Sequence, residues 1–246
     1  MNELLIDLGN SRLKWAQGHQ GRVVTAMQAL DHRAPDFAAS FAAVLATLPE
    51  PSTLCIAAVA SDDLVARVVA LCQRPWPRLA PRRASSRRQL GRFVSAYAEP
   101  ERLGVDRFLA AAAVANSPIG ACLVLGCGTA LTVDLIDAGG RHLGGLIAPA
   151  PDLMCQAVLQ RTADVHWQRQ GQLTDFASNT EDALHSGVWG AAVGLVQGAL
   201  RDAVVRLDAT PSLVIHGGGA IALAARLPFA VVQRPALVLE GLALWA

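Results

Sequence analysis

An apolar run, a bend at glycine and a second apolar run occur twice in this chain, as residues 4–16 (LLIDLGNSRLKWA) and 123–135 (LVLGCGTALTVDL). The runs have the length and branched character of buried strands, so each stretch is predicted to be a β-hairpin. Gly9 with Asn10, and Gly128 with Thr129, are expected to form the turns, glycine and asparagine being the residues that most readily adopt positive φ. A glycine at such a bend also lacks the Cβ that would hold a ligand away, so successive backbone N–H groups can line up against anionic oxygens. One copy of this device is an ordinary hairpin. Two copies point to a clamp on phosphate, and the side chains around the first copy agree: Asp7 before the turn, Asn10 and Ser11 within it, Lys14 on the return strand. A carboxylate, two small polar groups and an ammonium are the parts needed to hold a metal-bound polyphosphate.

The chain's 246 residues suffice for one large domain or two of ordinary size. Hydrophobic residues make up 52% and charged residues 17%. No uninterrupted apolar stretch approaches the roughly 18 to 20 residues of a membrane span, so a soluble protein with no membrane partner is expected. Met1, Asn2 and Glu3 lead straight into the first strand without a basic leader, which predicts no secretory signal and a cytoplasmic location. Cys55, Cys72, Cys122, Cys127 and Cys155 lack CxxC spacing and mostly sit in apolar runs, so neither a disulfide nor zinc is indicated. His19, His32, His142, His166, His185 and His216 form no metal-binding pair. A net charge of +1 gives no general attraction to nucleic acid. Arg74, Arg78, Arg82, Arg83, Arg87, Arg88 and Arg92 crowd one segment, which reads as a solvated loop and helix edge, with electrostatic steering of anionic small molecules as a second reading.

After the first hairpin, a helix is predicted over about 37–48, stopped by Pro49 and Pro51, then a buried strand over 54–59 and a helix opened by Ser61, Asp62 and Asp63. A further helix over 107–115 begins at Asp106, and the strand pattern restarts at Cys122. The division is placed between an N-terminal domain, 1–117, and a C-terminal domain, 118–246. In the second half, 141–149 reads as a strand with a paired-glycine turn at Gly144 and Gly145, followed by a helix from near Asp152. Thr180, Glu181 and Asp182 are expected to cap a long helix bearing Gly187, Gly190, Gly194 and Gly198. Glycines cost stability in a helix, so this stripe needs a packing reason: seating on the sheet is expected, contact with another helix being the alternative. Residues 212–222 read as a strand, a glycine-rich bend at Gly217, Gly218 and Gly219, and a helix, an arrangement that turns N–H groups toward an anion without matching GxGxxG.

Taken in order, DLGNS at 7–11 with Lys14, GVDR at 104–107, GTALT at 128–132 with Asp134, GGLIAP at 144–149, Asn179 with Thr180, Gly217 with Gly218 and the closing LVLEGL at 237–242 resemble the type III pantothenate kinase family. Each block alone is weak, and the ordered set covers nearly the whole chain. The resemblance implies an α/β fold of two ribonuclease-H-like domains in the acetate and sugar kinase/Hsc70/actin superfamily, with an ATP cleft between them. It implies transfer of the γ-phosphoryl group of ATP to pantothenate, giving 4′-phosphopantothenate in the first step toward coenzyme A, by a homodimer whose subunits together enclose the substrate. By the same resemblance Asp7 holds the Mg²⁺ of MgATP, with Gly9, Asn10, Ser11 and Lys14 around the phosphates. Gly128, Thr129 and Thr132 form the opposing phosphate loop, and Gly217 and Gly218 support the adenosine side. Asp106 is the implied general base; Tyr97, Gly104, Val105 and Arg107 hold pantothenate, joined by Thr180 from the partner subunit. From the residues alone Asp106 reads equally as a helix N-cap, since Asp is a preferred cap.

Where the family has Asp before its second Gly-Thr turn, this chain has Gly126, and Ala150 stands where a Gly usually follows Pro. The family associates that Asp with the activating monovalent cation, so a requirement for K⁺ or NH₄⁺ is in question. Gly126 keeps open a catalytically silent relative that binds nucleotide or pantothenate in a regulatory role. A sugar kinase, acetate kinase or exopolyphosphatase on the same scaffold is a further alternative, against which GVDR at 104–107 argues.

Overall fold

The computed structural model describes residues 2–161 and 171–246, so His166 lies outside the described residues. The chain folds into two compact units. One comprises Met1–Ile119, Ala138–Leu143 and Ala236–Ala246; the other comprises Gly120–Asp137 and Gly144–Pro235.

In the first unit, β1 (Asn2–Leu8), β2 (Arg12–His19), β3 (Arg22–Val23), β4 (Gln28–Asp31), β5 (Thr53–Ala58) and β6 (Pro81–Arg83) form a sheet of order β3-β2-β1-β5-β6, with β4 also paired to β2. β1 runs antiparallel to β2 and parallel to β5. Arg82 and Arg83 thus lie on a strand rather than in a loop, contrary to expectation. Side chains alternate across β1. Leu4, Ile6 and Leu8 enter a core with Phe37, Phe41 and Leu45 of α1 (Phe37–Thr47) and Val68, Leu71 and Cys72 of α2 (Asp62–Gln73). Leu5 and Asp7 take the opposite face. The two-stranded β7 (Gln89–Leu90) and β8 (Phe93–Val94) lead to α3 (Val105–Ala115), which packs on β5 and on the chain's last helix. That last helix reaches α3 closely because Gly241 has no Cβ to collide with the Leu109 carbonyl.

In the second unit, β9 (Cys122–Cys127), β10 (Ala130–Ile136), β11 (His142–Pro149), β12 (Ser212–His216) and β13 (Val232–Gln233) are ordered β11-β10-β9-β12-β13. β9 is antiparallel to β10 and parallel to β12. The order repeats that of the first sheet strand for strand: hairpin first, third strand outside it, then two parallel additions on the other side. β11 runs unbroken through Gly144 and Gly145, so no turn forms there.

Helices α4 (Pro151–Arg161), α5 (Thr180–Leu207) and α6 (Ala220–Ala224) complete this unit, and α7 (Leu237–Trp245) is the last helix of the first. Val188, Ala192, Val196, Ala199 and Ala203 form the buried stripe of α5. Its glycines do not face the sheet: a Cβ on Gly187, Gly190 or Gly194 would meet no atom within 4 Å. The expected seating is therefore wrong, because Val and Ala occupy that face and the glycines lie on another. Among the described residues α5 is the one helix long and apolar enough to cross a membrane by length and composition, although Glu181, Asp182, Arg201, Asp202 and Arg206 interrupt it.

Candidate active site

β1 delivers Asp7 to the end of a buried strand, 6% exposed and directly opposite Lys14 in the register with β2. Lys14 Nζ lies 3.4 Å from Asp7 Oδ2. Burial raises the Asp7 pKa above its ordinary value; Lys14 pulls it back, and the Asp106 carboxylate pushes it further up. Both carboxylates therefore act on one region of the first unit. Gly9 N donates to Arg12 O at 3.1 Å to close the turn, and His32 Nε2 bonds Gly9 O at 2.9 Å and braces it. Asn10 is exposed and Ser11 half-buried beside it.

Neither Gly9 and Asn10 nor Gly128 and Thr129 adopt positive φ, contrary to expectation. Positive φ occurs instead at Gln20 and Gly21, the two-residue turn joining β2 to β3. A Cβ on Gly128 would project into open space. What this glycine contributes is thus an uncovered backbone rather than a left-handed turn, which is the property an anion-binding bend needs.

At α3, Gly104 is the N-cap, so Asp106 is not. Asp106 sits in the first turn, where a carboxylate suits the helix dipole, and its Oδ1 accepts from Arg107 N at 2.9 Å. A Cβ on Gly104 would come within 2.9 Å of that oxygen, so glycine at the cap leaves the carboxylate its room. Val105 is half-buried beside them. Arg107 is 7% exposed, and its Nη1 donates to the Tyr97 hydroxyl at 3.2 Å. The Tyr97 segment is strapped down by Arg88, which donates to the carbonyls of Ser95, Tyr97 and Ala98 at 3.3, 2.9 and 3.0 Å. Sequence reasoning counted Arg88 only among surface charges, and nothing in its neighbours marks it as a strap.

In the second unit the turn between β9 and β10 is one residue shorter than its counterpart, with Gly128 N donating to Ala130 O at 2.9 Å. Hence the rung holding Asp7 between Lys14 and Ala57 is matched by one holding Gly126 between Thr132 and His216. A Cβ on Gly126 would stand 2.5 Å from Thr132 Oγ1 and 3.2 Å from His216 Nε2, so hydroxyl and imidazole occupy the space a side chain there would enter. Gly217, at φ +102°, packs so closely on the Cys127 carbonyl that no Cβ fits, and Gly219 N donates to Cys127 O at 2.9 Å. Gly218 faces open space. The glycine bend is thereby locked against the strand end that carries the Gly128 turn.

Asn179, not Thr180, caps α5: its Oδ1 accepts from Asp182 N at 3.0 Å, and its Nδ2 donates to Asp182 Oδ2 at 2.7 Å. Asp182 Oδ1 also accepts from Gln172 N at 2.7 Å. Asp7, Gly9, Asn10, Ser11, Lys14, Tyr97, Gly104, Asp106 and Arg107 all lie in the first unit, where Lys14 and the Asp106 carboxylate act on Asp7 and Arg107 bonds Tyr97. Gly128, Thr129, Thr132, Gly217 and Gly218 gather within the second. Thr180, exposed in the first turn of α5, joins neither group through a hydrogen bond among the described residues.

The family model for type III pantothenate kinase matches residues 3–202. The chain belongs to the type III pantothenate kinase family. It is 42% identical over 248 residues to a type III pantothenate kinase of Stenotrophomonas maltophilia strain R551-3, covering 100% of this chain and 98% of that one. Its fold is similar to that of a Campylobacter jejuni protein described as a Baf family transcriptional activator, at TM-score 0.59 and 20% identity over 97% of this chain and 94% of the other. It is likewise similar to component A of the Acidaminococcus fermentans (R)-2-hydroxyglutaryl-CoA dehydratase, at TM-score 0.55 and 14% identity over 100% and 97%. The α/β fold is shared with these two proteins, and in this chain it is built on the repeated sheet order.

Among the described residues no three His, Cys, Asp or Glu side chains converge on a metal position. A buried carboxylate at a strand end still fits Mg²⁺ that arrives on ATP, since that ion keeps waters and phosphate oxygens as most of its ligands.

Proposed function

We propose that this chain phosphorylates pantothenate at the expense of ATP and does so as a homodimer. The observation that carries the reading, beyond family membership, is the buried Asp7 paired to Lys14 in the same unit as Asp106, Arg107 and Tyr97. One carboxylate lies beside an ammonium, as polyphosphate binding requires. A second, Asp106, precedes the buried Arg107 in the first turn of α3, and the Arg107 guanidinium meets the Tyr97 phenol, a set of groups suited to an anionic acceptor with a hydroxyl.

In this reading Asp7 holds the magnesium of MgATP, which supplies charge neutralisation at the phosphates. Lys14, Asn10, Ser11 and the Gly9 backbone orient the phosphate chain, as do Gly128, Thr129 and Thr132, with Gly217 and Gly218 on the nucleoside side. Arg107 and Tyr97 fix the acceptor, and Asp106 accepts the hydroxyl proton as the oxygen attacks the γ-phosphorus and the bond to ADP breaks. Phosphoryl transfer demands mainly alignment and charge stabilisation, so one such base suffices. We seat the second copy on the open glycine face of α5, whose first turn carries Thr180. The Thr132 and His216 side chains over Gly126 offer no carboxylate, which supports turnover without a K⁺ or NH₄⁺ requirement.

ADP release from MgATP, measured with pantothenate, acetate, sugars and polyphosphate in K⁺-free and K⁺-containing buffers, tests this. Pantothenate alone is expected to elicit turnover, with little change on adding K⁺. Tight nucleotide binding without turnover under every condition would identify a silent relative instead.

A further inference from the structure

Ala138–Leu143, the connection after β10 together with the first two residues of β11, belongs to the first unit although β10 and the rest of β11 lie in the second. A backbone bridge and a side-chain hydrogen bond hold it there. Val94 N donates to Gly140 O at 3.2 Å as part of an isolated parallel bridge between Val94 and Arg141, and Arg92 Nη2 donates to Ala138 O at 2.8 Å. Gly140, at φ +88°, lets this segment approach the Arg92 carbonyl to a distance at which a Cβ would stand 2.6 Å away.

What the segment delivers is His142. It is 3% exposed and stacks with two aromatic rings, at 5.9 Å and 25° to Phe93 and at 6.0 Å and 11° to Tyr97. Phe93 in turn meets Phe108 of α3 edge-on at 5.4 Å and 80°. The column therefore starts on the helix that carries Asp106 and Arg107 and ends on the Tyr97 ring, whose hydroxyl accepts from Arg107. Aromatic pairs prefer offset-stacked or edge-to-face arrangements, so the His142 ring favours one plane for the half-buried Tyr97 ring.

We propose that His142 is a positioning residue for the acceptor site: by stacking on Tyr97 it holds the phenol where it fixes the Arg107 guanidinium. This rests on the reading of Tyr97 and Arg107 as acceptor-binding. Its role is as a plane, so Phe should replace it and Leu should not.

Tyr97 is the sole tyrosine of the chain, so ring-labelled tyrosine gives a single set of NMR signals from the whole protein. In wild type these signals should carry the ring-current shift of a stacked partner. His142→Phe should keep that shift and His142→Leu should lose it, with the rest of the spectrum retained. In kinetics, His142→Leu should raise the KM for pantothenate roughly 2- to 10-fold, the size of one aromatic contact, with the KM for ATP unchanged and His142→Phe close to wild type. A Tyr97 signal unmoved by His142→Leu, or a KM rise shared equally by ATP, overturns the proposal. A wild-type protein that never phosphorylates pantothenate would refute the functional reading instead, while the NMR result would still decide whether His142 holds the ring.

Discussion

Asp7 shows how one residue can be arranged for function against stability. Its carboxylate is raised in pKa chiefly by burial, with Lys14 offsetting only part of that cost. For a group raised in the folded state, stability is fully present below its unfolded pKa, near 3.8, and is lost as pH rises through the higher folded value. Ligand-free protein with Asp7→Asn should therefore match or exceed wild type in thermal stability at pH 7, with the margin shrinking as pH falls toward 3.8. The same variant should lose the rise in melting temperature that MgATP gives wild type. Parallel melting curves across pH, with and without MgATP, check both points; a variant less stable than wild type at neutral pH and still stabilised by MgATP contradicts the account. Asp7 and Lys14 were legible in the sequence because a hairpin register places them side by side. His216 and His142 were not: one acts through a strand that joins the sheet many residues later, the other through a ring it meets only after folding.

At the level of elements, the hairpins were legible from their apolar runs, and of the two reasons read for their glycines, positive φ fails while the missing Cβ agrees with the structure at Gly128. Backbone φ at the bends is ordinary, and open space above Gly128 is what the glycine preserves. The glycines of α5 were misread for a related reason. Spacing shows that they share a face, while only packing shows that Val188, Ala192 and Val196 claim the protein side and leave Gly187, Gly190 and Gly194 uncovered. A solvent-facing glycine costs a helix roughly 1 kcal/mol relative to alanine, so three in one stripe argue for close approach of another surface. Gly194→Leu should leave the monomer folded and shift sedimentation from dimer to monomer, with activity falling as dimer is lost. Unchanged sedimentation together with unchanged activity would place the second copy elsewhere.

Over the whole molecule, the two sheets repeat one strand order, and that repetition is what the paired hairpins announced. Where the halves differ, the difference bears on chemistry: the rung with Asp7 and Lys14 carries opposite charges, while its counterpart carries Thr132 and His216 over Gly126. The linear overlay of the two hairpins sets Gly126 opposite Asp7 but Val133, not Thr132, opposite Lys14, since the second turn is one residue shorter and the return strands slip by one. Nor did the sequence assign Ala138–Leu143 and α7 to the first unit, because both are separated from it in the chain and are recruited by tertiary packing alone. Of the roles proposed above, that of Asp106 as the base that deprotonates pantothenate bears most directly on the reaction. The most direct test is the rate of 4′-phosphopantothenate formation by wild type and Asp106→Asn, with ATP affinity measured on both. Asn can still accept the Arg107 N–H bond, so the fold and ATP binding should persist while the rate falls by about 10²- to 10⁴-fold. A variant that turns over at nearly the wild-type rate would contradict the claim and leave Asp106 as a first-turn acid of α3.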